Sequence, residues 1–306
     1  MGLLITVLEQ GMIYGIMALG VYITYKILDF PDLTVDGSFP LGAAVTAIMI
    51  TKGFSAVLTL PVSFLIGAVV GMLTGLIHVK LKVRDLLSGI IMMTALYTVN
   101  LRIAGRANLP FYKEETVFDN SLTQRIFQGN LSGWKTVIVM LLITVIVKIL
   151  LDGFMQTGAG FLLRAVGDNA SIVTAMGQDR GKIKILGLSI ANGLVSLSGC
   201  LFAQQSRYFE ISSGTGTVVI GLASVIIGTS IYEKMDHSGK MPKALYKVRF
   251  GVITTSVILG SVLYKGCVAL AIQMGLKSTD LKLITAVLLL VILVFSMERK
   301  KVKKDA

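Results

Sequence analysis

Long runs of apolar residues recur along the whole sequence and constrain its fold more than any other feature. Of the 306 residues, 54% are hydrophobic and only 15% are charged, whereas a soluble domain carries about a quarter charged residues. A helix needs about 20 mostly apolar residues to cross a bilayer. Because the runs are continuous rather than alternating, they do not fit a β-barrel. The sequence therefore predicts an all-α, polytopic membrane protein with one transmembrane domain over residues 1–306.

Nine apolar segments predict about eight to nine transmembrane helices. The second segment is too short to cross alone at ~1.5 Å of rise per residue. It follows a stretch rich in Asp, Gly and Pro, which predicts a broken or re-entrant helix over residues 29–52. Irregular backbone at membrane depth is stable only where it is buried in protein or lines a wet cavity. The segments are 3–25, 39–51, 56–78, 86–105, 134–151, 183–206, 215–232, 250–274 and 281–297.

The distribution of Lys and Arg predicts the orientation. If the polar loop 152–184 faces the cytoplasm, the loops on that side and the basic tail 297–306 together hold 17 basic residues, and the opposite side holds seven. Cytoplasmic loops are the ones enriched in Lys and Arg. The bias predicts a cytoplasmic C-terminus and an extracytoplasmic loop at 106–133. The N-terminus lies outside if 39–51 crosses and inside if 29–52 is re-entrant.

Small residues recur at the spacing of helix-packing positions, as in Gly67, Gly71 and Gly75. Close backbone contact through small residues drives helix association in membranes. Asn192 lies among small residues of the segment 183–206, and we expect it to hydrogen-bond across helices.

The sequence contains no pattern for catalysis or for a bound metal. Its two histidines and two cysteines lie far apart, so no metal cluster is expected. No GxxxxGK[ST] phosphate loop occurs, so the chain is not expected to be an ATPase. The net charge of +12 reports membrane orientation and does not predict a nucleic-acid partner.

In residues 164–177, within the predicted cytoplasmic loop 157–180, a basic residue is followed by Ala, Gly, Asn and Ala and then by Ala and Gly, and a helix rich in small residues follows at 185–203. This pattern resembles the membrane permeases of ATP-binding-cassette (ABC) importers, in the branched-chain amino-acid and ribose permease group. Residues 18–25 and 30–43 resemble the first helix and the broken second helix of that group. The broader importer signature has an acidic residue ahead of its Ala-Ala and Gly, whereas here Asn169 precedes Ala170 and Asp168 lies one place earlier. The positions expected to couple to the ATPase are Arg164, Gly167, Asp168, Asn169, Ala170, Ala175 and Gly177.

This resemblance implies a cytoplasmic coupling helix at roughly 160–178 that sits in a groove of a cytoplasmic ATPase dimer. Leu162, Leu163, Val166 and Met176 would form its apolar side. ATP and Mg would bind to the ATPase, and this chain would bind no cofactor. The resemblance also implies a pore of two copies of the chain in the bacterial cell membrane. The loop 106–133 resembles that of a subgroup paired with an extracytoplasmic lipoprotein that binds aromatic or other hydrophobic amino acids.

Polar residues near the broken segment are candidates for the translocation path: Asp29, Asp32, Asp36 and Ser38, together with Lys265 in a later span. A carboxylate at mid-depth costs about 2.5–3.5 kcal/mol unless it is hydrated or paired. The aspartates fit a headgroup boundary equally well, with Asp36 capping the half-helix.

A secondary transporter driven by an ion gradient is the alternative function, because broken helices with acidic residues suit that class too. The coupling-like loop argues against it. An intramembrane enzyme and a gated channel are disfavoured because neither a catalytic set nor a filter-like sequence is present.

Overall fold

The structure is a computed structural model that describes residues 2–120, 123, 133–237 and 249–275, with 283, 285–287, 289–291 and 294 near the C-terminus. The chain begins with α1 (Gly2–Tyr22), which continues as a π-helical turn (Ile23–Ile27). The elements that follow are α2 (Val35–Thr51), α3 (Thr59–Lys80), α4 (Asp85–Ala104), β1 (Asn108–Pro110), α5 (Lys135–Met155), α6 (Gly158–Asp168), α7 (Ala170–Ala175), α8 (Arg180–Ser206), β2 (Tyr208–Glu210), a 3-10 turn (Ile211–Gly214), α9 (Thr217–His237) and α10 (Arg249–Gln273).

Seven of the helices are long and apolar enough to span a membrane, namely α1, α3, α4, α5, α8, α9 and α10. The predicted all-α, polytopic class is therefore confirmed. The helix α2 is shorter, with 17 residues. Most of the segment 281–297 and all of the tail 297–306 lie outside the described residues, so the total of eight to nine helices stays a prediction.

The helix α8 lies at the centre of the bundle, with α1, α2 and α3 packed around it. A Cβ atom placed on Gly71 of α3 would lie 2.1 Å from the carbonyl oxygen of Leu188, and one on Gly67 would lie 2.4 Å from the Cβ of Ser196. The two backbones therefore touch, and only glycine permits this distance. The predicted role of the small residues in helix packing is confirmed at these positions.

The bundle has two distinct ends, which we call the ribbon side and the α6 side. On the ribbon side, β1 and β2 form an antiparallel ribbon in which Leu109 pairs with Phe209. Gln205, near the end of α8, donates a hydrogen bond to Glu9 of α1 at 3.1 Å. At the other end of the molecule, Gly167 of α6 lies directly against Ile27. A Cβ atom placed on Gly167 would overlap the carbonyl oxygen of Ile27. The helix α1 therefore begins on the ribbon side and ends on the α6 side.

Residues 28–34 carry the chain back from the α6 side into the bundle interior, and α2 continues from there to the ribbon side. Ala47 and Ile50 of α2 pack with Leu109 and Phe209 of the ribbon. The irregular backbone that the sequence predicted over 29–52 lies entirely before α2, and the helix itself is continuous from Val35 through Pro40 to Thr51. Proline removes one backbone donor, and in membrane helices neighbouring groups offset that loss.

Candidate coupling surface and translocation path

The loop predicted to couple to an ATPase forms two short helices rather than one. Thr157 caps α6 by accepting a hydrogen bond from the Gly160 amide. The helix ends at Asp168 because Asn169 has extended backbone angles, and the Asn169 side chain accepts from the Ser171 amide at 3.0 Å. An asparagine side chain competes with the helix for backbone groups in this way. The expected single helix over 160–178 is therefore wrong, and α6 and α7 meet at Asn169.

Two of the predicted coupling residues, Arg164 and Gly167, bind α6 to the membrane domain. The Arg164 guanidinium donates to the carbonyl of Met155 at 3.1 Å, at the C-terminus of α5, where a positive charge is favoured. It also lies 5.9 Å from the ring centroid of Phe250 in α10, within the range of a cation–π contact. These contacts join α6 to α5 and α10, and the Gly167 contact joins it to the end of α1.

Part of the predicted apolar side of the coupling helix faces the interior of the membrane domain. Leu163 and Val166 are buried in the main core and so are not available to a partner, which corrects the expectation for these two residues. Leu162 is partly buried against the same core, whereas Met176 is 55% exposed. The local sequence gave no signal for this division, because apolar residues at helical spacing fit either surface.

The remaining coupling residues form an exposed surface at the end of the loop. The side chains of Asp168, Asn169 and Ala175 are exposed, and Gly177 is exposed with φ of +72°. Ala170 begins α7. The turn after α7 leads directly into α8, where Asp179 caps the helix by accepting from the Gly181 amide at 2.8 Å. The exposed surface is therefore continuous along the chain with the central helix.

In the interior, Asp32 and Ser38 belong to one buried hydrogen-bond network centred on Asn192 of α8. The Asn192 amide donates to Asp32 Oδ2 at 2.7 Å, and the Ser38 hydroxyl donates to Asn192 Oδ1 at 2.7 Å. Asp32 Oδ1 accepts from the Thr34 amide at 2.8 Å, and the Thr34 and Thr74 hydroxyls lie 3.2 Å apart. The predicted cross-helix role of Asn192 is confirmed. The roles of Thr34 and Thr74 were missed, because threonine is common in membrane helices and its spacing gave no signal.

Asp36 lies in the first turn of α2, and its carboxylate binds the N-terminus of another helix, α9. Oδ1 accepts from the Val218 amide and the Thr217 hydroxyl, both at 2.9 Å, and Oδ2 accepts from the Gly216 amide at 3.0 Å. A helix N-terminus carries partial positive charge and unpaired amides, which favour an anion there. The sequence predicted that Asp36 caps its own helix, α2, whereas in the structure it caps α9.

The last two candidates of the predicted path, Asp29 and Lys265, lie apart from this network. Asp29 is exposed, with φ of +50°, in the connection at the α6 side. The Lys265 ammonium lies 3.6 Å from the ring centroid of Tyr14, in a groove of about 210 Å³ between α1 and α10. Among the residues that the structure describes, no group of three or more metal-ligating side chains occurs.

A bundle of many membrane-spanning helices, with a polar interior and with short surface helices that lead into its central helix, has the architecture of a membrane permease. The comparison with protein families agrees. Residues 3–296 match the family described as the permease component of the branched-chain amino acid transport system. The chain belongs to this family of ABC-type permeases, whose members are not themselves enzymes and work with ATPase and substrate-binding partners.

Similar proteins extend along nearly the whole chain. The tyrosine transport system permease protein of Clostridioides difficile is 42% identical over 290 residues, covering 95% of this chain and 90% of that protein. An uncharacterized protein of Rickettsia prowazekii, RP368, is 31% identical over 293 residues, with 95% and 96% covered. The probable branched-chain amino acid transport permease LivH of Methanocaldococcus jannaschii is 27% identical over 227 residues, 70% of each chain. No solved structure matches.

Proposed function

We propose that this chain is the membrane-spanning subunit of an ABC importer for aromatic or other hydrophobic amino acids. The observation that carries the proposal is the 42% identity, over nearly the whole chain, to a permease named for tyrosine transport. The open cavity that Asp36 lines supports the passage of a small polar molecule.

An ATPase dimer would bind the exposed surface formed by Asp168, Asn169, Ala175 and Gly177. Its closure would push on α6 and α7, and the contacts of Arg164 and Gly167 would carry that movement to α1, α5 and α10. Rigid elements of this kind transmit domain closure with small internal changes. ATP and Mg would be bound by the ATPase, and this chain would bind neither.

The α6 side would face the cytoplasm, together with the C-terminus, in a bacterial inner membrane. The ribbon side would receive cargo from a substrate-binding lipoprotein. There Arg207 donates to the Tyr112 carbonyl at 2.8 Å and pairs with Asp119, which also pairs with Lys135. These bonds hold residues 112–119 against the end of α8, and this surface would be the docking site for the lipoprotein.

Two copies of the chain would enclose the path, in keeping with the expected homodimer. Asp29, Asp32, Asp36, Ser38 and Lys265 remain the candidates for lining it. The structure favours Asp36 among them, because its carboxylate lines an open cavity, whereas Asp32 and Ser38 are buried within one subunit.

The test is transport in proteoliposomes that contain this chain, its ATPase and its binding protein. We expect uptake of labelled L-tyrosine that requires ATP and stops when the ATPase carries an inactive phosphate loop. The chain purified alone should show no ATP hydrolysis. Uptake driven by a sodium or proton gradient without ATP would instead establish a secondary transporter and overturn the proposal.

A further inference from the structure

A cavity of about 320 Å³ lies between α2, α4 and the segment that leads into α9. Asp36 lines it from α2, Thr94, Tyr97 and Asn100 line it from α4, and Ile211 lines it from the turn that follows the ribbon. Its volume falls at the lower end of the range for small-molecule sites. It opens next to the ribbon, which is the side from which an imported molecule would enter.

Two polar groups at this cavity have unused capacity to accept hydrogen bonds. Asn100 is fully buried; its amide nitrogen donates to the Gly37 carbonyl at 3.0 Å, but its Oδ1 has no partner among the described residues. Buried side-chain acceptors are normally paired. Asp36 Oδ2 accepts one described bond, from Gly216, and a carboxylate oxygen has room for about two. An acceptor and a carboxylate therefore remain for a ligand that donates.

The exposed surface of α4 is largely apolar, with Ile90, Ile91 and Leu101, but at the cavity it carries polar side chains. Thr94, Tyr97 and Thr98 are all exposed on it. The exposed face of α5, in contrast, carries aliphatic residues such as Leu142, Ile146 and Leu150. An open carboxylate facing lipid would be costly unless hydrated or paired. The polar residues at the cavity therefore fit a water-filled path that is closed by another protein surface.

We propose that this cavity is a cargo site that binds the ammonium group of an amino acid. The ammonium donates to Asp36 Oδ2 and Asn100 Oδ1, and the apolar part of the cargo packs on Met93 and Tyr97. Hydrogen bonds between an ammonium and a carboxylate are among the stronger polar contacts. The inference rests on the proposed function and deepens it, because it assigns the groups that recognise the cargo within the membrane subunit.

The test is protection of an introduced cysteine in the purified complex of permease and ATPase, without the binding protein. The variant Thr94→Cys places the cysteine in the cavity lining at a residue that makes no assigned contact with the cargo. It is made with Cys267→Ala, since Cys267 is the exposed native cysteine and Cys200 is buried. L-tyrosine at millimolar concentration should slow modification by a maleimide about threefold or more. The probe 3-(4-hydroxyphenyl)propionate, which has the same ring and no ammonium, should give no protection.

Matched variants separate the site from general effects. Thr98→Cys lies on the same exposed face outside the cavity lining and should show no protection. Adding Asp36→Asn keeps an oxygen for the α9 amides but removes the charge, and it should abolish protection of Thr94→Cys.

Equal protection by both probes, or by neither, would overturn the inference. Because the assay needs no turnover, that result would leave the proposed importer function intact if the wild-type complex still takes up L-tyrosine with ATP. Loss of ATP-dependent uptake in the wild type would instead remove the proposed function.

Discussion

The interior carboxylates of this membrane domain are held by neutral donors. Asp36 binds two backbone amides and a hydroxyl at the start of α9, and Asp32 binds the Asn192 amide and the Thr34 amide. Bonds from neutral groups to a charged acceptor are stronger than bonds between neutral groups. Each aspartate also joins elements that are distant in sequence: Asp36 joins α2 to α9, and Asp32 joins the connection 28–34 to α8.

At this scale, the bond between Asp32 and Asn192 can be measured by a double-mutant cycle. Asp32→Ala and Asn192→Ala should each destabilise the protein, because each leaves a buried polar group unpaired at a cost of about 1–3 kcal/mol. The double variant should be destabilised by less than the sum, with an interaction energy of about 0.5–3 kcal/mol. Thermal unfolding of the detergent-solubilised protein gives the four values. Strict additivity would show that the two residues do not interact.

At the scale of elements, the sequence predicted what depends on local pattern and missed what depends on distant partners. The long spans and the glycine positions of α3 follow from hydrophobicity and spacing, and seven such spans are present. The ribbon was missed, because β1 and β2 have three residues each and are separated by about 100 positions. For the same reason, Asp36 was identified as a candidate, but its partner helix α9 was not. The split at Asn169 was missed because one polar residue does not alone end a helix.

The contact between α3 and α8 can be tested with a pair of glycines. Gly71→Ala forces a Cβ against the Leu188 carbonyl and should cost about 1–3 kcal/mol, as overpacking usually does. The control is Gly153→Ala on the exposed face of α5, where a Cβ meets no atom within 4 Å. That variant should be neutral or slightly stabilising, because alanine favours helix. Equal melting temperatures for both variants would contradict the close contact.

Substitutions of Gly177 test whether the turn between α7 and α8 is required for coupling. A Cβ there would meet no atom within 4 Å, but its φ of +72° costs other L-residues about 1–2 kcal/mol. Gly177→Val should therefore distort the turn and abolish uptake, with membrane insertion unchanged. Asparagine tolerates this conformation better, so Gly177→Asn should retain more uptake. Uptake is normalised to the protein level in the membrane, and normal uptake by Gly177→Val would exclude a coupling role for the turn.

For the whole molecule, the described helices place the ends of α1 on opposite sides of the bundle, with α6 and α7 at one side and the ribbon at the other. The segment 23–51 then returns the chain to the ribbon side, which is the arrangement expected if the second apolar segment crosses. The excess of basic residues in the loops assigned to the α6 side predicts that this side faces the cytoplasm, because loops rich in Lys and Arg stay there.

This orientation predicts opposite labelling of two exposed positions. Tyr112, 61% exposed on the ribbon side, and Met176, 55% exposed on the α6 side, are each replaced by cysteine with Cys267→Ala. An impermeant maleimide added to intact spheroplasts should modify Tyr112→Cys, whereas Met176→Cys should react only after the membrane is permeabilised. The unmodified Cys267→Ala chain controls for the buried Cys200. The reverse pattern would place α6 and α7 outside the cell, where no cytoplasmic ATPase could reach them.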